Sequence, residues 1–234
     1  MGIESEIERL AQQYEKRDSS MYTGDWRKDA YHPRNPMGRL FHEHHFNLAV
    51  DALNAVGVGL DGADALDFGC GSGGWLRMLI ELGADPARLT GIDLSERRLA
   101  SARRLNPAIN FVKNDGGGIP FPDRIFDLVM QVVVFSSILD EGLAAALACE
   151  MARVTRPGGH ILWVDHDRAL GDTLSGYPQS KVEEFFAGCR TVYADRAHPR
   201  YFRRWQGRPW LCRLLYHFSR VKCDSLILVM RKEG

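Results

Sequence analysis

The sequence predicts an α/β fold, a parallel sheet with helices on both faces, and three observations carry that reading. Apolar strand-like runs alternate with helical patterns from residue 64 to residue 165, the order that builds strand–helix–strand units. The stretch ALDFGCGSGGWL (65–76) passes from an apolar run through Gly69, Gly71, Gly73 and Gly74 and back to apolar residues. It reads as a buried strand, a glycine turn and a helix start. The run FDLVMQVVV (126–134) is apolar without interruption, as strands covered on both faces require. A chain of 234 residues suffices for one such domain with a full core and a small appendage.

Along the chain, residues 1–17 carry a helical pattern in which Ile3, Ile7, Leu10, Ala11 and Tyr14 share a face. Residues 18–40 are polar and broken by Gly24, Pro33, Pro36 and Gly38. A second helix is expected over 40–56, with Phe41, His45, Leu48, Ala49 and Ala52 at core spacing. Strands are expected at 64–68, 88–92, 109–113, 126–134 and 160–165. The intervening helices run over 73–83, 95–105 and 140–155. Ser95 is placed to cap the second of these, because its side-chain oxygen can accept a backbone N–H of the first turn. Pro157, Gly158 and Gly159 read as the stop signal before the fifth strand. Two later strands near 190–194 and 224–231 complete seven.

Composition excludes several classes. Charged residues make up 26% of the chain and the formal net charge is zero, so the whole molecule has no general pull toward nucleic acid. No apolar run reaches a membrane span, and MGIESEIERL lacks a signal-peptide pattern, which reads as a cytoplasmic protein. Five scattered cysteines without a C-x-x-C pair read as reduced thiols.

The glycine turn marks a nucleotide-type cofactor site at the carboxyl end of a strand. Glycine tolerates φ > 0 and lets a ligand approach the backbone. Gly69, Gly71 and Gly74 satisfy the dinucleotide pattern G-x-G-x-x-G, with Asp93 close to the position of a ribose-binding acid. The same stretch also satisfies Asp67-x-Gly69-x-Gly71-x-Gly73. Asp67 would be unwelcome beside a pyrophosphate. A second acid, Asp115, ends the run INFVKND, and RPGGHILWVDH (156–166) leads into a further strand. With these features, residues 48–170 resemble the class I methyltransferases that depend on S-adenosylmethionine (SAM), of the type 11-like domain. An NAD-type oxidoreductase is the alternative from another enzyme class. A protein that holds SAM without transferring methyl is the alternative outside enzymes.

The resemblance implies a Rossmann-like, mostly parallel seven-stranded sheet whose last strand is antiparallel. It also implies an N-terminal helical lid, here residues 1–47, before the main domain at 48–234. Asp67, Gly69, Cys70, Gly71 and Gly73 then face the methionine half of SAM, with Asp67 near its ammonium. Asp93 matches the acid that accepts both ribose hydroxyls. Asp115 matches the acid that takes the adenine amino group, with Leu94 and Gly116 flanking the ring. Gln131 and Val132 fall near the sulfonium, and Tyr31 and Arg39 are partners for the SAM carboxylate.

Methyl transfer needs alignment of nucleophile, methyl and sulfur, with water excluded. A base is needed only where the acceptor is protonated. Asp165 and His166 follow the fifth strand, and His166 is the candidate base, histidine being suited to proton exchange near neutrality. The plainer reading makes His166 a wall and Asp165 the cap of a backbone turn. The segment QVVVFSSILDE (131–141) lacks the Asn/Asp-Pro-Pro-aromatic motif of amino-adenine methylation. Residues 131–134 hold no carboxylate of the kind metal-dependent catechol-type enzymes need after the fourth strand, and Asp165 is followed by His166 rather than Asn, so no metal is expected.

The segment 196–222 holds eight Lys or Arg, no Asp or Glu, and interleaved Tyr201, Phe202, Trp205, Trp210, Tyr216 and Phe218. The rest of the chain therefore sums to −8. The bland reading is a solvated cover over the sheet. The functional one is an insertion beside an anionic or lipid-like small-molecule acceptor, with Arg203 and Arg204 gripping an anion and Trp205 supplying an apolar wall. Contact with an acidic membrane surface is a further reading, and RNA a weaker one, since no RNA-binding module accompanies it. A monomer or homodimer is expected.

Overall fold

The computed structural model describes residues 2–23, 36–169, 174–199 and 223–234. Seven strands form one sheet: β1 (Ala65–Phe68), β2 (Leu89–Asp93), β3 (Asn110–Lys113), β4 (Phe126–Val132), β5 (Thr155–His166), β6 (Cys189–Pro199) and β7 (Cys223–Lys232). Their order is β3-β2-β1-β4-β5-β7-β6. The first five pair in parallel, and β7 runs antiparallel to both β5 and β6. The chain winds outward from β1 through β2 and β3, then returns to β4 on the other side of β1. The crevice between β1 and β4 is the point where open α/β sheets bind ligands.

Among the described residues six α-helices cover the sheet: α1 (Ile3–Thr23), α2 (Pro36–Ala55), α3 (Gly74–Glu81), α4 (Glu96–Leu105), α5 (Glu141–Val154) and α6 (Gln179–Phe185). One face buries Leu66, Phe135, Trp163 and Phe186 against α5 and α6. The other buries Leu76, Leu99, Leu128 and Ile227 with Ala49 and Ala52 of α2. Both faces of β1, β2 and the centre of β4 are thus dry, which is why these strands read as continuous apolar runs. Ser95 caps α4, its Oγ accepting from Arg98 N at 3.3 Å, and Asp140 caps α5, its Oδ1 accepting from Leu143 N at 2.9 Å.

The structure departs from the sequence reading at both N-terminal helices, α1 running on to Thr23 and α2 starting at Pro36 inside the stretch read as broken, and in the sheet and its connections as follows. The fourth strand stops at Val132 rather than at residue 134, because Val133 turns to φ 56°. Residues 157–159 lie inside β5 instead of before it: pairing jumps from Phe126↔Thr155 to Leu128↔His160, so the two glycines form a bulge. The helix α6 had no counterpart among the expected elements. At the far edge, β6 and β7 pair from Cys189↔Lys232 to Pro199↔Cys223. Residues 200–222 therefore begin and end at neighbouring points of the sheet.

Candidate functional site

A cavity of about 780 Å³ lies at the carboxyl ends of β1, β2, β4 and β5, toward the upper end of the range for small-ligand pockets. The turn after β1 forms its floor. Gly69, Gly71 and Gly73 adopt φ of 77°, 55° and 74°, conformations that side chains with a Cβ rarely tolerate. The turn is tied to β2, since Gly69 N and Cys70 N both donate to Ile92 O at 2.8 and 2.9 Å. The glycines then divide in purpose. A Cβ on Gly69 would lie 2.5 Å from Val134 Cγ2, and one on Gly73 2.8 Å from Phe111 Cζ, whereas one on Gly71 meets nothing within 4 Å. Gly69 and Gly73 are packing glycines, and Gly71 opens onto the cavity that it lines.

Asp93 ends β2 and faces the same cavity. Its Oδ2 accepts from Gly71 N and its Oδ1 from Ser95 N, each at 2.8 Å. A carboxylate has about four acceptor sites, so each oxygen keeps one for a ligand hydroxyl. Burial pushes the Asp93 pKa up, while the Ser95 amide, the Arg98 charge and the Gly71 amide pull it back. Of the other residues expected at a cofactor, Gly69, Cys70, Leu94, Gly116, Val132 and Arg39 line the cavity. Burial raises the pKa of the Cys70 thiol, which keeps it neutral beside the turn.

Four expected cofactor residues stand elsewhere. Asp67 lies beneath the turn, 2% exposed, and its Oδ2 has no hydrogen-bond partner among the described residues. Burial first, and the charge of Asp93 second, push its pKa up to about 8. Gly73 is turned toward Phe111 and does not line the cavity. Asp115 is exposed, its Oδ1 accepting from Gly117 N at 2.9 Å in a local turn. Its neighbour Asn114 is the buried residue that lines the cavity, with Oδ1 accepting from Gly116 N at 2.5 Å. Gln131 is fully buried and braces the turn after β4, its Oε1 accepting from Val134 N at 3.1 Å. Tyr31, Arg203, Arg204 and Trp205 lie outside the described residues.

His166 lines the cavity at the end of β5. Asp165 does not. It is 1% exposed, its Oδ1 accepts from His166 N at 2.8 Å and its Oδ2 from Ser136 N at 3.1 Å. It thereby fastens the turn after β4 to the end of β5, close to the plainer of the two sequence readings. Burial raises its pKa and His166 offsets part of the rise. Arg196, at the start of the basic segment, pairs with Asp167. Among the described residues, no three His, Cys, Asp or Glu converge as a metal-ligand set, and no helix is long and apolar enough to cross a membrane.

Sequence reasoning missed Asn114, one residue from the expected acid, and Asp18 and Arg98, which also line the cavity. Ser95 was legible as a cap, but its second bond, to Asp18 across the sequence, had no local signal.

Residues 65–159 match a family model described as a methyltransferase domain. A phthiotriol/phenolphthiotriol dimycocerosates methyltransferase 1 of Mycobacterium ulcerans is 36% identical over 113 residues, 47% of this chain and 40% of that protein. A fatty-acid O-methyltransferase of Mycolicibacterium smegmatis is 34% identical over 122 residues, 51% of this chain and 43% of that protein. The chain spans less than half the length of these curated relatives. A solved S-adenosylmethionine-dependent methyltransferase from Mesorhizobium loti shares the fold, with a TM-score of 0.60 at 20% identity over 78% of this chain and 96% of that one.

Proposed function

We propose that this chain, whose residues 65–159 match a methyltransferase domain, is a class I, SAM-dependent enzyme that transfers methyl from SAM to an oxygen or nitrogen of a small, lipid-like metabolite. The observation that carries the proposal is the pairing of Asp93 with Gly71. A buried carboxylate with acceptor capacity to spare sits beside a left-handed glycine whose missing Cβ opens onto the cavity. That pair fits a vicinal diol joined to a group lying over the turn.

When bound, SAM supplies a methyl group already activated on a sulfonium. The chain's own part is to bind, orient and exclude water. Asp93 accepts the ribose hydroxyls. Leu94, Gly116 and Asn114 hold the adenine, with Asn114 in the place expected of Asp115. Cys70, Gly71 and Val132 frame the reacting end, and Arg39 with Tyr31 meets the carboxylate. Asp67 lies buried below the turn, and because burial holds its proton up to about pH 8 it turns negative charge toward the cofactor's cationic end only as pH approaches that value. His166 receives the acceptor proton where the acceptor is a hydroxyl or a protonated nitrogen. Asp165 positions it by holding its backbone and that of Ser136.

The acceptor reading draws on the relatives, two of which are named for methylation of lipid-like molecules, and on apolar walls at Leu10, Ile138 and Leu147. The one-sided charge of 196–222 adds an anionic group to the expected acceptor, with Arg203, Arg204 and Trp205 as its contacts. Calorimetric titration with SAM and with NAD separates the two cofactors. Methyl transfer from labelled SAM to a panel of fatty acids and hydroxylated lipids tests the acceptor. Heat with NAD and none with SAM would overturn the proposal, and SAM binding without transfer to any panel member would leave only a SAM-holding protein.

A further inference from the structure

We infer that α1 is a latched lid over the ribose end of the cavity and that Asp18 is its latch, a positioning residue that sets how long the cofactor stays bound. The inference rests on the cavity being the SAM site. Asp18 is 1% exposed and lines that cavity. Its oxygens are held by two partners. Oδ1 accepts from Arg98 Nε at 2.7 Å and meets Arg98 Nη2 at 2.5 Å, while Oδ2 accepts from Ser95 Oγ at 2.7 Å.

Both partners also serve Asp93. Ser95 N donates to Asp93 Oδ1 at 2.8 Å, and the Arg98 charge favours the ionised form of Asp93. One guanidinium thus holds a carboxylate of the lid and also acts through its charge on the carboxylate assigned to the ribose. Tyr14 lies one turn earlier on α1, and the Arg98 guanidinium sits 4.8 Å from its ring centre. Leu10, a further turn back, faces the cavity. Leu10, Tyr14 and Asp18 are spaced by four and so share one face.

The opposite end of α1 is fixed separately. Glu6 Oε1 accepts from Leu139 N at 2.5 Å and Arg9 Nη2 donates to Ser137 O at 2.6 Å. The helix therefore spans from the start of α4 to the loop before α5, with the cavity beneath it. Holding a helix down does not require a buried ion pair, since an apolar contact of the same size does it at least as well. What the carboxylate adds is a link between closure of the lid and the state of Asp93. Breaking that link leaves Arg98 to Asp93 alone and frees the lid.

Stopped-flow displacement of S-adenosylhomocysteine from the full chain tests this, with Asp18→Asn, Asp18→Glu and Arg98→Lys compared with the parent. Asp18→Asn should release the ligand about ten- to a hundredfold faster, as loss of one charged hydrogen bond implies. Its association rate should stay within about twofold, and Asp18→Glu should recover part of the slow release. Release unchanged in Asp18→Asn overturns the latch and leaves the cofactor site standing. No binding of S-adenosylhomocysteine by the parent overturns the cofactor reading and the latch with it. Loss of folded protein in both Asp18→Asn and Arg98→Lys makes the pair a structural tie and overturns the latch as well.

Discussion

Asp67→Asn exchanges a buried carboxyl group for an amide of the same shape inside β1, directly under the glycine turn. The parent side chain is 2% exposed, its Oδ2 lacks a hydrogen-bond partner among the described residues, and its pKa stands at about 8. In the unfolded chain an aspartate titrates near 3.9. Between about pH 4 and pH 8 the folded protein therefore holds a proton that the unfolded chain has released. Stability contributed by this group is complete below pH 4 and falls as pH rises, by up to about 1.4 kcal/mol per unit. From pH 5 to pH 7 the parent should lose at most about 3 kcal/mol that the variant does not lose. Above pH 8 both states are ionised and the difference levels off. Urea unfolding at pH 5, 6, 7 and 8.5, followed by tryptophan fluorescence, measures it as the variant-minus-parent difference. Parallel pH profiles would refute the reasoning. Titration with SAM over the same range adds an independent reading: affinity should rise toward pH 8 in the parent, as the carboxylate forms, and stay flat in Asp67→Asn.

The glycines should separate fold from function. Gly69→Ala, whose Cβ would meet Val134 at 2.5 Å, should lower stability by about 2–5 kcal/mol in thermal or urea melts, the sum of left-handed strain and overpacking. Gly71→Val should cost only about 1–2 kcal/mol of stability yet abolish SAM binding in calorimetry, because its side chain would stand in the cavity. Asp93→Ala should weaken SAM by about 1.5–3 kcal/mol for each charged hydrogen bond lost, and affinity equal to the parent's would remove the ribose assignment. His166→Ala should slow turnover by about 10²–10⁴-fold with SAM affinity unchanged, and a loss under about tenfold would make His166 a wall of the cavity.

Much of the frame was legible because it is written in local patterns. The glycine turn, the Ser95 cap and the apolar runs of β1, β2 and β4 all follow from period, burial and turn chemistry over a few residues. What escaped was set across the sequence or within a single residue. An apolar run cannot show that Val133 reverses its backbone, since valine is a strand former that tolerates φ > 0 poorly. The bulge at 157–159 looks like a terminator because glycine and proline punctuate both turns and bulges. Asn114 and Asp115 are both turn formers, and only the packing of Gly116 between Leu94 and Ile7 turns the first inward. Asp67 carries the motif, yet its burial beneath the turn depends on β2 and β4 pairing on either side of it. Asp18 sits among polar residues near the end of α1, and its burial arises from two partners some eighty positions away.

The closing of the sheet by β6 and β7 bears on how such a protein can diversify. Pro199 and Cys223 are paired neighbours, and Ser225 pairs with His166. Residues 200–222 are thus joined to the sheet at two adjacent points on β6 and β7, with β1, β4 and β5 standing between β7 and β2. Extending a segment closed in this way costs only about 0.6 kcal/mol for each doubling of its length. Its length and sequence can change without altering the strand pairing that sets Asp93 at the end of β2. A lineage could change partners through this cassette and keep one cofactor chassis, and a bench chimera joined at Pro199 and Cys223 would inherit the same freedom.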